Sequence, residues 1–301
     1  MATSSTLSAA PARAWSATLA DLVSLTKPRI IELLLITTVP AMVMAAGGWP
    51  GTPLLAATVV GGALVSGSAH ATNMVIDRDI DGAMRRTAHR PLPSGRVTPV
   101  AALRFAAVLL VAGSLLLWSV AGWLPAALTV GAWAWYVGIY TLWLKRRNVQ
   151  NIVIGGVAGA APPMIGWAAV TGRVELPALV LFTVVVLWTP THFWALAIGT
   201  GQDYERAAVP MLPVVRGPKV AARHGAGYAL ATVAASLTLP LTGVGGVWYL
   251  VPAVVLGAGF VAASLRLVRA PEPRVAWRTF HLSNTYLAAL FVVVAVAGLF
   301  A

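Results

Sequence analysis

Apolar residues run through this chain in long blocks separated by short polar breaks. Blocks long enough to cross about 30 Å of hydrocarbon, roughly 17–25 residues each, fall near 30–48, 53–74, 101–120, 122–143, 151–170, 176–198, 225–244, 247–267 and 280–300. This pattern predicts an all-α polytopic membrane protein, nine transmembrane helices in a bundle around a central cavity. The third and fourth blocks, and the seventh and eighth, have almost nothing between them and read as helical hairpins. Residues 1–23 are rich in Ser, Thr and Ala and contain no such block. They read as a disordered cytoplasmic tail ahead of a single membrane-embedded domain, 24–301.

The polar breaks orient the bundle. With the N-terminus in the cytoplasm, the connections after the even-numbered blocks carry Arg78, Arg85, Arg86, Arg90 and Arg96, then Lys145, Arg146 and Arg147, then Arg206, Arg216, Lys219 and Arg223, then Arg266, Arg269, Arg274 and Arg278. The opposite side has Arg173. Cytoplasmic loops carry such an excess of Lys and Arg, so the count of nine and a C-terminus outside support each other. The bacterial plasma membrane is the expected location, with the mitochondrial inner membrane as the alternative. The formal net charge of +12 is then a topology signal, and no nucleic-acid partner is expected because the cations do not line one soluble face. Composition agrees: 58% of residues are hydrophobic and 10% charged. No cysteine is present, which excludes disulfides, thiolate metal sites and a cysteine nucleophile.

The two longest cytoplasmic connections, 75–100 and 199–224, contain Asp77, Asp79, Asp81, Asp203 and Glu205. In the first, Asn73, Asp77 and Asp81 recur every four residues, so on a helix they stack about 6 Å apart on one face. Mg²⁺ takes oxygen ligands and is commonly held by one or two carboxylates together with substrate phosphates, which makes this row a candidate metal-diphosphate site. The competing reading is a solvated helix end whose carboxylates pair with Arg78, Arg85 and Arg86. Ionisable residues at a membrane edge that face a bundle are functional by default, which favours the metal site. Asp79 points elsewhere on the helix and is expected to pair with a basic neighbour.

Asp203, in the facing loop, is a candidate to complete the metal cage, against the alternative of a local pair with Arg206. Arg85, Arg90, Lys145 and Arg146 are candidates to neutralise a diphosphate leaving group. His192 lies inside a predicted span, where a satisfied buried histidine and a ligand or proton acceptor compete. His70, one turn before Asn73, presents the same choice. Pro40, Pro162-Pro163, Pro190, Pro240 and Pro252 interrupt apolar runs, and broken backbone at such depth is tolerated where it is buried in protein or lines a cavity.

These residues resemble the UbiA-type intramembrane prenyltransferases, and within them the branch that farnesylates haem. The Asp-rich motif is matched by Asn73, Asp77 and Asp81, followed by Met84-Arg85-Arg86-Thr87 and Arg90-Pro91-Leu92. The haem branch is matched by Leu25-Thr26-Lys27-Pro28-Arg29, Tyr140-Thr141-Leu142-Trp143-Leu144-Lys145-Arg146, Gln150-Asn151-Ile152-Val153-Ile154-Gly155-Gly156, Pro162-Pro163, His192-Phe193-Trp194, Asp203-Tyr204 and Val209-Pro210-Met211-Leu212-Pro213. One departure is that Ile198-Gly199-Thr200-Gly201-Gln202 has no basic residue, where similar proteins usually have one or two.

The resemblance implies transfer of a farnesyl group from farnesyl diphosphate to a vinyl group of haem B, with addition of water and release of diphosphate. It implies Mg²⁺ on Asn73, Asp77, Asp81 and Asp203, substrate contacts from Tyr140, Arg85, Arg90, Lys145 and Arg146, and catalytic roles for Asp77, Asp81 and His192, the last as proton acceptor. Besides the bilayer, a haem A synthase or a terminal-oxidase assembly is the expected partner. Prenylation of a quinone precursor or chlorophyllide is the rival within the class. A membrane transporter is the rival outside it, disfavoured because the acids cluster at one membrane face and not at the midplane.

Overall fold

The computed structural model describes residues 18–300, and their side chains apart from 29–30 and 32–34. All of its regular structure among these residues is helical: α1 (Leu19–Leu25), α2 (Pro28–Ala46), α3 (Thr52–Ile76), α4 (Arg78–Ala83), α5 (Pro99–Ala121), α6 (Trp123–Ala134, continued by a π-helix Trp135–Leu144), α7 (Asn151–Thr171), α8 (Leu176–Gly199), α9 (Gly201–Arg206), α10 (Leu212–Arg216), α11 (Pro218–Ser236, followed by a 3₁₀ turn Leu239–Thr242), α12 (Gly246–Arg269) and α13 (Pro273–Leu299). Eight helices among the described residues are long and apolar enough to span a membrane, and α2 adds the shorter apolar stretch Leu35–Ala46. Together they account for the nine expected blocks. Helical spans follow from the solvent: in hydrocarbon every backbone N–H and C=O must be satisfied within the segment.

Helices α2, α7, α8, α11, α12 and α13 share one core, with Trp167, Trp188, Phe260, Tyr286 and Phe291 at its centre. Helix α5 packs mainly on α3 and turns Val108, Val111, Leu115 and Trp118 outward, the apolar face that lipid would cover. The α3–α5 crossing is closest at Gly61 and Gly113, where a Cβ built on Gly113 would lie 2.7 Å from the Gly61 carbonyl oxygen. Small residues at such crossings let helix backbones approach. In α7, Gly155 makes room for the Tyr140 ring and Gly156 for Thr189 of α8.

Two expectations are corrected. The tail through residue 23 is not all tail: 1–17 lie outside the described residues, but Leu19–Leu25 is a helix. Thr18 caps it, Oγ1 accepting from Asp21 N at 3.2 Å. Arg96 Nε ties it down through Asp21 Oδ1 at 2.9 Å, and that guanidinium holds the Asp21 carboxyl below the usual range. Leu25 is buried with Ala71, Met74 and Leu92. The intramembrane prolines also break less than expected. Pro40, Pro162-Pro163, Pro190 and Pro252 all sit inside continuous helices, because neighbouring helices can compensate the lost hydrogen bond. Only Pro240 coincides with an interruption, the 3₁₀ turn after α11.

Candidate functional site

Helix α3 ends at Asp77, whose backbone (φ −94°, ψ 14°) leaves the α basin before α4 begins. The i to i+4 ladder nevertheless persists, with Asp77 N donating to Asn73 O at 2.9 Å and Asp81 N to Asp77 O at 2.8 Å. Asn73, Asp77 and Asp81 are 3%, 1% and 5% exposed, which rules out the solvated helix end.

Their partners come from distant elements. Lys145 Nζ binds Asp77 Oδ2. Arg90 Nη1 donates to both carboxylate oxygens of Asp81, at 2.9 and 2.8 Å. Asn73 Nδ2 donates to Asp77 Oδ2 at 2.7 Å and to Thr141 Oγ1 at 3.1 Å, while Asn73 Oδ1 accepts from Lys27 Nζ at 3.0 Å. Arg146 makes two 2.7 Å bonds to Asp79 and lies 3.6 Å from Asp77 Oδ1. The Asp79 pair is the basic-neighbour contact foreseen for it; the guanidinium pulls that carboxyl down to about 2.

Two features of this cluster are unspent. Asp77 Oδ1 is buried without a hydrogen bond, and an unsatisfied buried carboxylate oxygen is costly unless something binds it. Four cations, Lys27, Arg90, Lys145 and Arg146, face three carboxylates, Asp77, Asp79 and Asp81. Burial first, then the charges of Arg90 and Lys145, pushes Lys27 down to about 7. Lys27 also holds the left-handed conformation (φ 53°), uncommon for a residue with a side chain. Hard oxygen donors with an orphan oxygen suit a divalent cation, and the surplus of positive charge suits an anion. The donor set therefore fits a metal-diphosphate pair.

Lys145 reaches Asp77 because of the π-helix. Nine residues are two and a half turns of α-helix, which would put Lys145 opposite Tyr136. The wider i to i+5 turns bring about nine residues into two turns. Lys145 N accordingly donates to Tyr140 O at 2.9 Å, and Thr141 Oγ1 to Tyr136 O at 2.8 Å. Tyr136, Tyr140, Thr141 and Lys145 thus share a face, with Tyr140 packed near Ile80, Met84 and Tyr204.

Other expected site residues lie elsewhere. Asp203 has Arg206 as its ion-pair partner at 3.7 Å, the local pairing weighed against a place in the metal cage, and no hydrogen bond or ion pair joins it to the row among the described residues. Arg206 is its i, i+3 neighbour on the short helix α9. Arg85 is exposed and has no ion pair among the described residues. His192 is buried between the Trp188 and Phe280 rings, each with its centroid 4.4 Å away. His70 is buried edge-on to Tyr136 at 5.5 Å, with neither ring nitrogen hydrogen-bonded. Sequence reasoning missed Lys27 as a site residue; its motif was visible, but its 46-residue separation from Asn73 was not bridged.

The Gly199–Gln202 departure has a steric side. A Cβ on Gly199 would lie 2.9 Å from Trp277 Nε1, so this glycine admits the indole to α8. Gly199→Lys is expected to lower thermal stability in detergent by about 1–3 kcal/mol, the usual cost of overpacking. Thr200, whose hydroxyl bonds only Leu196 O, is the better position for restoring a cation. Thr200→Lys is expected to tighten the apparent substrate affinity severalfold, as expected of a partly exposed charge contact. A large loss in steady-state activity for Thr200→Lys would end the missing-cation interpretation.

A family model described as the UbiA prenyltransferase family matches residues 34–299. Proteins named protoheme IX farnesyltransferase from Symbiobacterium thermophilum and Frankia casuarinae are each 50% identical to this chain. The alignments cover 90% and 92% of this chain and 92% and 97% of those relatives. Among solved structures, one from a study of digeranylgeranylglyceryl phosphate synthase superposes with a TM-score of 0.77 at 19% identity, covering 94% of this chain and 99% of that one. A UbiA homologue from Archaeoglobus fulgidus, bound to DMAPP and Mg²⁺, gives 0.61 at 14% identity, covering 92% and 99%. At these identities the likeness to solved structures is one of fold.

Proposed function

This chain belongs to the UbiA prenyltransferase family, a multi-pass intramembrane enzyme, and from that membership we propose that it joins farnesyl diphosphate to haem B. The observation that carries the reading is the buried Asn73, Asp77 and Asp81 row, with Asp77 Oδ1 unbonded and cations converging on it from the N-cap of α2, the end of the π-helix and the loop after α4. The choice of haem as acceptor rests on the names of relatives 50% identical over nearly the whole chain.

Asn73, Asp77 and Asp81 would hold Mg²⁺, which when bound supplies positive charge to the diphosphate. Lys145 and Arg90 now neutralise Asp77 and Asp81; with both substrates present they turn toward the leaving group, where fixed cations stabilise developing charge most in a water-poor site. Lys27 lies beside them with one hydrogen bond to Asn73. As the allylic C–O bond breaks, the terminal vinyl carbon of haem forms the new C–C bond. Water adds to the inner vinyl carbon and gives its proton to the departing diphosphate, yielding the hydroxyfarnesyl haem. The departing diphosphate is the acceptor in this reading in place of His192, whose ring sits in an aromatic stack. Apolar walls between helices keep other water from the cation.

Mass analysis of the haems in a host lacking its own haem-farnesylating enzyme tests this reading: the farnesylated haem is expected only when this chain is expressed. Prenylated quinone precursor without modified haem would overturn the acceptor. Orientation is checked separately with topology tags. Tags within 75–100 and 199–224 are expected in the cytoplasm and a tag after Ala301 outside; a cytoplasmic C-terminus would contradict nine spans.

A further inference from the structure

His192 is held in a way that decides which of its nitrogens is free. The Ser283 hydroxyl, on α13, donates its single hydrogen to the Phe280 carbonyl at 2.7 Å. Toward His192 Nδ1, 2.8 Å away, that oxygen then accepts, which assigns the ring proton to Nδ1. The second nitrogen, Nε2, is left with its lone pair and has no hydrogen bond among the described residues. The arrangement is rigid: Ser283 is fully buried, Trp188 Nε1 donates to its carbonyl oxygen at 2.9 Å, and Trp188 and Phe280 clamp the imidazole from its two faces.

The chemistry of this relay points one way. It ends on a neutral peptide carbonyl and not on a carboxylate, so it fixes the tautomer without supplying the negative charge that would hold an imidazolium. A histidine so oriented is a lone-pair donor, and metal-bound histidines characteristically donate their other N–H to such an acceptor. The helix turn that carries the ring also reaches the proposed reaction site. Phe193, which meets His192 edge-on at 5.2 Å, packs with Ile80, Met84 and Tyr140 beside the aspartate row.

We propose that Ser283 is a positioning residue that locks His192 as the Nδ1–H tautomer, so that His192 Nε2 ligates the iron of the haem acceptor. This rests on the proposed haem reaction. Ligation would seat the porphyrin by its metal against the aromatic wall, leaving its vinyl edge free to meet the allylic carbon, and neither nitrogen would be spent on proton transfer.

The test uses the full chain purified in detergent, with ferric haem B and, as a probe that cannot ligate, metal-free protoporphyrin IX. The wild type is expected to show a histidine-ligated ferric haem spectrum. His192→Gly is expected to lose that signature and recover it with added imidazole. Ser283→Ala is expected to bind ferric haem about 10–100-fold more weakly, the usual cost of removing a metal ligand's hydrogen-bond partner, with protoporphyrin binding and melting temperature unchanged. Ser283→Thr, which keeps the hydroxyl, restores haem affinity. A ligated spectrum persisting in His192→Gly without imidazole would overturn ligation, including the case where that variant loses turnover, which would make His192 a proton acceptor. Equal loss of haem and protoporphyrin in Ser283→Ala would overturn the positioning role in favour of packing, and wild-type haem affinity in that variant would overturn it outright. If the wild type neither binds nor farnesylates haem, the underlying acceptor reading fails. Farnesylation without a histidine-ligated spectrum overturns only this inference.

Discussion

Asp77→Ala and Asp81→Ala are expected to abolish formation of farnesylated haem while leaving a membrane-inserted chain. Insertion depends on the apolar bodies of the spans, which neither substitution touches. Each removes a buried carboxylate from the proposed metal row, and losing one group that stabilises developing charge costs on the order of 10²–10³ in rate; losing a metal ligand should reach the detection limit. Asp77→Asn sharpens the test, since it preserves volume and removes charge. Asn73→Ala is expected to be milder, because a neutral oxygen contributes less to a dication than a carboxylate. Its effect is still appreciable, because Asn73 links Lys27, Asp77 and Thr141. Haem mass analysis on membranes with matched protein levels is the measurement. Activity retained in both aspartate variants would remove the metal-site reading.

The second large effect is expected from Lys145→Met. Asp77 is 1% exposed, and Lys145 is its closest cation, with Arg146 farther away at 3.6 Å from Oδ1. Removing one partner of a buried pair typically destabilises by about 3–5 kcal/mol, because the remaining charge is left uncompensated. Thermal unfolding in detergent should therefore shift down sharply without metal, and millimolar Mg²⁺ should recover part of the loss by occupying the same carboxylate. Turnover should fall by about 10²-fold even with Mg²⁺, since a cation facing the leaving group is gone. Lys145→Arg should not restore full activity, because a planar guanidinium does not substitute for a compact ammonium in a tight contact. A stability loss indifferent to Mg²⁺ would argue that Asp77 is a structural partner only.

How far the sequence reached varies from element to element. The helical spans were legible because length and apolarity are local properties, and hydrocarbon permits few backbone solutions. The end of α13 at Leu299 and the tight α5–α6 junction at Gly122 fall where the apolar blocks end. Asn73, Asp77 and Asp81 were legible as one face because i, i+4 spacing is also local. The short helix α1 was not, since its seven residues are held by Arg96, 75 positions away. The prolines misled because a break in sequence propensity is overridden when neighbouring helices support the backbone.

The sequence by itself determined the membrane-spanning all-helical architecture, the loops that carry the acids and the row of oxygen donors. Each follows from hydrophobic run length, charge placement or helical periodicity within a few residues. The tertiary structure alone decided which cation meets which carboxylate. Lys27 meets Asn73 across 46 positions and Lys145 meets Asp77 across 68, the second through a π-helical face that an α-helical reading turns away. It also gave Gly199 to Trp277 and brought Ser283 Oγ to His192 Nδ1, 91 residues away. Charge pairing and hydrogen bonding act over a few ångströms in space, and no local periodicity encodes which distant helices come that close.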